Sequence, residues 1–420
     1  MMRLLRHARQ VKGRDVLKAA GLLTGAAAAV PVLTAGAVMG VDAVLNHNRR
    51  KRRAPNPGTF HAQLEDSNLS IYTSGGELYD DMIQAIESAE KSVYLETYIW
   101  KADEVGQRFM DALNQAAERG VKVFVLYDGM ANLVVPRSFY RQFSEQVRVY
   151  RLPVVGKRFW VGPLRHSGFN HSKILVVDDS IGFAGGYNIG SLYANEWRDT
   201  HVREIGAGVW GLQHAIAQLW NAAHDPEDQI EWVAPRAWNP EVIVQANLPV
   251  QLVYPIRNTY LKAIARAEHR IWITTPYFIP DQQILQALVA AAERGVDVRV
   301  MVPKTSNHVV ADWVSRGFYG QLLDAGITIL LYSASMIHAK VATIDGEWST
   351  VGTANIDRLS LSYNYETNVE VTDPRFAAEM EKVYAADAEH CEELSSPEWR
   401  DRHVMARVVE TALVPLRPLL

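Results

Sequence analysis

Cysteine is nearly absent from the sequence, since Cys391 is the only one among 420 residues. One cysteine excludes an internal disulfide framework and cannot form a zinc site by itself. A large excess of charge of one sign is also missing, because the net charge is only -4. Without an overall basic field, we expect no nucleic-acid partner. Hydrophobic residues make up 48% of the chain, and its length suits two halves with tails.

The N-terminus departs from this ordinary composition. Residues 19–41 form a run of 23 positions without a charged side chain, about the length that a helix needs to cross a membrane. Basic residues lie on both sides of the run, so the charge rule gives no orientation. A signal peptide that ends near Ala35-Gly36-Ala37 and a buried soluble helix are the alternatives. We predict a membrane helix over about 19–41 and a cell-membrane location, because the basic cluster at 49–53 resembles a stop-transfer signal and suits anionic lipid headgroups.

An internal repeat organises the rest of the chain. Three sequence blocks occur twice in the same order, which indicates a duplicated unit of roughly 170 residues. The pairs are "AIESAEKSVYLETY" (85–98) with "AIARAEHRIWITTPY" (263–277), "AAERGVKVFVLYDG" (116–129) with "AAERGVDVRVMVPK" (291–304), and "HSKILVVDDSIGFAGGYN" (171–188) with "HAKVATIDGEWSTVGTAN" (338–355).

Each repeat alternates helical and strand patterns. Residues 77–90 and 256–268 have helical periodicity, and the apolar runs 92–99 and 270–275 are typical of buried strands. Such alternation predicts an α/β sandwich in each half. We therefore divide the chain into four parts: an N-terminal membrane segment at 1–55, a first half at 56–240, a second half at 241–400 and a tail at 401–420. Residues 54–68 have the composition of a linker.

Each half also contains a His-x-Lys motif followed by an aspartate. Side chains at i and i+2 of a strand project to the same face, so the histidine and lysine are predicted to point into one cavity. An asparagine follows each histidine after 17 residues, and an acid follows after 28. The two sets are His171, Lys173, Asp178, Asn188 and Asp199 in the first half, and His338, Lys340, Asp345, Asn355 and Glu366 in the second.

These residue types suit the transfer of a phosphodiester in one pseudo-twofold site. We predict that Lys173, Lys340, Asn188 and Asn355 bind the phosphate, whose oxygens gather charge in the transition state. One histidine would attack phosphorus, and the other would protonate the leaving alcohol. Asp199 and Glu366 would each accept a hydrogen bond from a histidine Nδ1–H and fix the ring. The symmetry of the sequence does not choose between the two histidines.

A structural role is the alternative for every residue of the motif. A lone His-x-Lys is a weak signal, but a matched pair with equal offsets to an asparagine and an acid is specific. For Asp178 and Asp345 we prefer the structural role, because each lies beyond the centre of its strand, where the chain turns.

The paired motifs resemble the HKD motifs of the phospholipase D superfamily over roughly residues 70–390. Within it, "GGYNIG", "WRDTHVR" (197–203), "YGQLLDAGITI" (319–329), "NYETNVEV" (364–371) and "PLRPLL" (415–420) are similar to bacterial cardiolipin synthases. The resemblance implies two sandwich halves of the phospholipase D type and a phosphohistidine route without metal or cofactor. It also implies His171 as the nucleophile, His338 as the acid and base, and a phosphatidylglycerol-like substrate at a membrane.

Three other functions remain open at this point. Water could replace the acceptor alcohol, which would make the protein a lipid hydrolase. A nuclease would need a basic surface, and a non-catalytic lipid-binding module would not need both motif sets. The C-terminal tail has apolar residues at helical spacing, and these could lie in the membrane interface or pack on the core.

Overall fold

Two eight-stranded sheets, one in each half, form the centre of the computed structural model, which describes residues 30–44, 52–153, 168–235, 237 and 240–419. The strands of the first half are Thr59–Gln63 (β1), Ser67–Tyr72 (β2), Ser92–Thr97 (β3), Lys122–Asp128 (β4), Arg148–Leu152 (β5), Ile174–Val177 (β6), Ile181–Gly185 (β7), Trp197–Arg198 (β8) and His201–Gly206 (β9). Those of the second half are Val242–Asn247 (β10), Arg270–Thr274 (β11), Phe278–Ile279 (β12), Asp297–Pro303 (β13), Thr328–Tyr332 (β14), Met336–Ile337 (β15), Val341–Ile344 (β16), Trp348–Gly352 (β17), Ile356–Asp357 (β18), Glu366–Thr372 (β19) and Cys391–Glu393 (β20).

The two sheets share the topology of seven strands, and each has one further edge strand without an equivalent, β1 in the first sheet and β20 in the second. Their orders are β1-β2-β9-β7-β6-β3-β4-β5 and β10-β19-β17-β16-β11-β13-β14-β20. In each sheet three strands run parallel, namely β3, β4 and β5 in the first and β11, β13 and β14 in the second. The motif strands β6 and β16 lie antiparallel beside β3 and β11. The same topology in both halves agrees with the predicted duplication and confirms two α/β halves.

Helices cover the outer faces of the sheets and also lie between them. They are 30–44 (α1), Gly75–Glu87 (α2), Glu104–Glu118 (α3), Arg137–Tyr140 (α4), Ser191–Asn195 (α5), Val209–Asn221 (α6), Pro255–Arg266 (α7), Gln282–Glu293 (α8), Val309–Asp324 (α9), Arg358–Ser362 (α10), Pro374–Ala388 (α11), Ser396–Arg400 (α12) and Val404–Leu413 (α13). Short 3-10 turns occupy Pro226–Asp228, Pro249–Gln251 and Val414–Leu419. Gly120 and Gly295 follow the ends of α3 and α8 with φ of +91° each, a conformation that favours glycine.

Buried apolar side chains hold these layers together. Helices α2 and α3 pack on one face of the first sheet, and α7, α8 and α9 pack on one face of the second. A third cluster lies between the two sheets and includes Val176, Val351 and Val369, together with residues of α6 and α11. Because this cluster draws on both halves, burial of its apolar surface stabilises their association.

Two expectations from the sequence need correction. The stretch 54–68 is not simply a linker, because β1 lies within it and pairs with β2. The predicted membrane helix over 19–41 is not supported either. Its residues 19–29 lie outside the described residues, and α1 is described over residues 30–44 only. Among the described residues, no helix has the length and apolarity required to cross a membrane.

Short strands and one buried ion pair join the two halves. Strand β8 of the first half pairs in parallel with β15 of the second, and Asn170 forms a bridge with Tyr365. The Arg198 guanidinium donates to both carboxylate oxygens of Asp387 on α11 at 2.8 Å each. Both side chains are almost fully buried. This pair therefore fixes β8, and the residues after it, against the second half.

We expect Asp387→Ala to lower the free energy of unfolding by about 3–5 kcal/mol, because it leaves a buried guanidinium without its partner. The exposed pair of Arg400 with Asp324 provides the control, and Asp324→Ala should change stability by about 0–1 kcal/mol. Urea unfolding followed by circular dichroism measures both effects. Equal losses for the two variants would contradict the structural importance of the buried pair.

Candidate active site

Both predicted histidines line one cavity of about 570 Å³. Each histidine lies just before a strand, with His171 ahead of β6 and His338 between β15 and β16. The His-x-Lys motif therefore lies in the connection that leads into each strand. The sequence pattern had predicted that the motif lies within the strand. The cavity also contacts Asn188 and Asn355. The site combines residues of both halves, as the predicted pseudo-twofold arrangement requires.

Each histidine is held by the acid of the opposite half. His171 Nδ1 lies 2.9 Å from Glu366 Oε2, and His338 Nδ1 lies 2.7 Å from Asp199 Oδ2. Both carboxylates are almost fully buried. Each contact orients the ring and leaves Nε2 as the ring nitrogen without an acid partner. The equal offset of 28 residues identified the acids, but it did not indicate that they would exchange halves.

Backbone hydrogen bonds explain this exchange. The amide N–H of His171 donates to the carbonyl of Tyr365, and that of His338 donates to the carbonyl of Arg198, at 2.9 and 2.7 Å. Tyr365 directly precedes Glu366, and Arg198 directly precedes Asp199. The chain that leads into each histidine thus lies beside the chain that leads into the other half's acid. Each carboxylate is consequently delivered to a histidine from the opposite half.

The two lysines of the motifs are almost fully buried, and each contacts the histidine of its own motif. Lys173 Nζ donates to the carbonyl of His171 at 2.6 Å. Lys340 Nζ also donates to the carbonyl of the histidine two residues before it, and it lies 2.8 Å from His338 Nδ1. When Nδ1 carries a proton, that proton points to Asp199, so the lysine is then held by the carbonyl. Both ammonium groups are close enough to the histidines to influence their charge.

Burial and neighbouring charges set the protonation of the site. Burial lowers the pKa of His171, and the Glu366 carboxylate opposes this effect. Burial also lowers the pKa of His338 well below its ordinary value, and Lys340 and Lys173 lower it further. Burial lowers the pKa of Lys173 to about 7 and that of Lys340 to about 8. The protein itself thus favours neutral imidazoles, more strongly at His338.

The asparagines occupy equivalent positions but make different contacts. Asn188 Oδ1 accepts a hydrogen bond from the Ile99 amide at 3.2 Å. Asn355 Nδ2 donates to Ser360 Oγ at 3.3 Å, and its Oδ1 is buried with no partner among the described residues. Both side chains contact the cavity, where an amide could donate to a phosphate oxygen.

Two substitutions between the repeats make the halves of the site unequal. Gly186 leaves room for Asp199, since a Cβ there would lie 2.0 Å from the Asp199 Oδ1 atom. At the equivalent position, Thr353 Oγ1 donates to Glu366 Oε2 at 2.6 Å. Two residues before each acid, the first half has Trp197 and the second has Asn364. The Trp197 ring lies 4.8 Å from the His338 ring, so His338 has the more apolar surroundings.

Two tyrosines at the site were not among the predicted residues. Tyr98 lies edge-on to His171 with ring centroids 4.8 Å apart, and Tyr277 lies edge-on to His338 at 6.5 Å. Both contact the cavity. The repeat contained the signal, because the first pair of matched blocks ends in these two tyrosines.

Asp178 and Asp345 do not line the cavity of the two histidines. The Asp178 carboxylate accepts three backbone N–H groups from residues 90–92 at 2.7–2.9 Å. Asp345 accepts three from residues 268–270 at 2.8–2.9 Å. Both residues have positive φ, at 51° and 55°. These contacts fasten the turn after each motif strand to the start of the neighbouring strand.

The outer walls of the cavity are mostly apolar. Helix α1 contributes Met39 and Ala43 together with one acid, Asp42, and the start of α9 contributes Val309 and Val310. The polar groups of the histidines and asparagines thus share one cavity with an apolar surface. Such a combination suits a ligand with a charged phosphodiester and apolar chains.

Known proteins share this sequence pattern over most of the chain. The family described as cardiolipin synthase, phospholipase D-like domain, matches residues 82–203 and 260–388. A cardiolipin synthase from Clostridium perfringens (strain SM101) is 31% identical over 384 residues, which cover 87% of this chain and 79% of that protein. This chain belongs to the cardiolipin synthase-like family of the phospholipase D superfamily. It is accordingly an enzyme of the phosphatidyltransferase class.

Other relatives agree with this assignment. A cardiolipin synthase from Staphylococcus aureus (strain Mu50) is 33% identical over 375 residues, which cover 84% of this chain and 74% of that protein. The crystal structure of phosphatidylserine synthase from Haemophilus influenzae superposes with a TM-score of 0.66 at 16% identity. That superposition covers 89% of this chain and 96% of the other, and it supports the fold.

Proposed function

We propose that this enzyme transfers a phosphatidyl group from a phosphatidylglycerol-like lipid to a second lipid alcohol, as a cardiolipin synthase does. The observation that carries the proposal is the single cavity in which two histidines, each held by an acid of the opposite half, meet apolar walls. The histidines and asparagines of the cavity suit the phosphodiester, and its apolar walls suit the acyl chains.

In the first step, His171 Nε2 attacks phosphorus. The bond from nitrogen to phosphorus forms as the bond from phosphorus to the glycerol oxygen breaks, and His338 gives its proton to that oxygen. Glu366 stabilises the imidazole that gains positive charge. Lys173, Lys340, Asn188 and Asn355 stabilise the phosphoryl oxygens. The choice of His171 as nucleophile rests on the family resemblance.

In the second step, the neutral His338 removes the proton from the acceptor alcohol. The alcohol oxygen then bonds to phosphorus, and the bond to His171 breaks. His338 must be protonated before the first step, although burial and two lysines lower its pKa. A bound phosphodiester brings a negative charge that raises the pKa of nearby basic groups, so His338 takes up its proton together with the substrate.

Lipid hydrolysis is the second candidate function, because water can attack the same intermediate. A nuclease is less consistent with the cavity, since the described residues that line it include no lysine or arginine to contact a nucleic-acid backbone. The acceptor therefore decides between transferase and hydrolase, whereas the first step is common to both.

Incubation with phosphatidylglycerol labelled in the phosphate should yield labelled cardiolipin, and a rapid quench should trap label on the protein in an acid-labile, base-stable form. We expect His171→Ala to abolish both signals, because it removes the attacking nitrogen. His338→Ala should slow turnover by roughly 100-fold or more, since it removes the general acid and base.

Asp324→Ala is the control for the effects of mutation and purification on activity. It should behave like the unaltered enzyme, because Asp324 is exposed and outside the cavity. Phosphatidic acid as the sole product would favour hydrolysis. Cardiolipin formation by the His171→Ala variant would contradict the phosphohistidine route.

We also propose that the enzyme docks on a membrane through the face formed by α1 and α13, called here the apolar face. Leu33 and Val44 on α1 are 71% and 77% exposed, and Val404 and Val408 on α13 are 67% and 53% exposed. Exposed apolar patches of this kind mark interaction surfaces in soluble domains. Helix α1 also lines the catalytic cavity, so a lipid could enter without leaving the apolar environment.

The double variant Val404→Ser/Val408→Ser should weaken binding to phosphatidylglycerol vesicles by roughly tenfold or more, because full burial of one valine side chain contributes about 1.5 kcal/mol or more and two are replaced. Vesicle flotation of the full chain measures the partition. Ile205→Ser/Ile243→Ser is the matched control, since both isoleucines are about 40% exposed and lie on sheet strands outside the apolar face. Equal binding by the two variants would rule out docking through α13.

A further inference from the structure

A second cavity of about 720 Å³ adjoins the catalytic one, and it is called here the polar cavity. Trp197 and Asn307 contact both cavities. The remaining walls of the polar cavity are rich in hydroxyl and charged groups, including Arg52, Lys304, Thr305, Ser306, Ser333 and Glu392. Its surface is therefore unlike the apolar walls beside α1.

We propose that the polar cavity is the subsite for the alcohol, where the leaving glycerol departs and the glycerol headgroup of the acceptor lipid binds. The inference rests on the proposed transfer and names the ligand class of this subsite. The alcohol must reach His338, which exchanges the proton in both steps. Trp197 separates the two cavities and lies against His338, so an alcohol anchored in the polar cavity extends its reacting hydroxyl past this ring.

The charges of the polar cavity suit the uncharged hydroxyl groups of a glycerol moiety. Its described walls contain two cations, Arg52 and Lys304, and two carboxylates, Glu196 and Glu392. Lys304 Nζ lies 2.6 Å from Glu392 Oε1, so this cation already has an anionic partner. A balanced set of donors and acceptors recognises hydroxyl groups better than it recognises a free phosphate.

The position of Trp197 also explains why only one histidine serves the alcohol. The equivalent residue beside His171 is Asn364, which donates to Glu366 Oε1 at 3.4 Å. His171 therefore has no aromatic ring at the position that separates His338 from the polar cavity. The difference of one residue between the repeats gives the two histidines different neighbours. On this proposal, His338 exchanges a proton with the alcohol and His171 bonds to phosphorus.

The test is the partition of the phosphorylated intermediate between glycerol and water. Full-length enzyme is incubated with phosphatidylglycerol vesicles and radiolabelled glycerol, and the ratio of labelled phosphatidylglycerol to phosphatidic acid is measured. Ala334→Trp fills the polar cavity, and Lys304→Met removes a donor at similar length. We expect each variant to lower the ratio by about tenfold or more, because contacts with the polyol are lost while water still reaches phosphorus.

Arg400→Met is the matched control, since Arg400 is an exposed cation outside both cavities. A partition ratio has the further advantage that it does not depend on the amount of folded enzyme. Ratios equal to that of the unaltered enzyme for both cavity variants would overturn the alcohol subsite. Absence of cardiolipin, phosphatidic acid and glycerol exchange with the unaltered enzyme would instead overturn the proposed function itself.

Discussion

The site depends on one interaction made twice, the hydrogen bond between a histidine and a buried acid of the opposite half. Neither half contains a complete histidine–acid pair, because Glu366 serves His171 and Asp199 serves His338. The exchange follows from the backbone, since each histidine amide donates to the residue directly before the acid. The association of the halves and the chemistry of the site therefore share the same contacts. The buried pair of Arg198 with Asp387 stabilises the chain segment that brings Asp199 to His338.

In the proposed mechanism, a pseudo-symmetric fold has to perform an asymmetric reaction. The duplication provides two histidines, but attack and proton transfer require different protonation states. A few residue differences between the repeats give the two histidines unequal surroundings. Thr353 donates to Glu366 where Gly186 only makes room for Asp199, and Trp197 contacts His338 where Asn364 occupies the equivalent place. These differences make the surroundings of His338 more apolar, and Trp197 also lines the polar cavity.

The sequence contained enough information for the fold of each half and for most of the candidate site. Matched blocks with a helix and strand pattern predict the duplicated α/β unit, because the period of apolar residues follows from local geometry. The offsets of 17 and 28 residues predicted which side chains would gather around the cavity. They could not predict the exchange of Asp199 and Glu366, since pairing between halves depends on how two sheets pack. The uncharged N-terminal run predicted a helix, but composition could not show that this helix, α1, lines the cavity of the two histidines.

The most direct test of the exchanged pairs is nitrogen-15 NMR of the histidine rings. In enzyme labelled only in histidine, the signals of His171 and His338 are assigned by single replacement of each residue. Asp199→Asn should change the Nδ1 signal of His338 and leave that of His171 in place, and Glu366→Gln should do the reverse. If each substitution instead altered the histidine of its own half, the exchange between halves would be wrong.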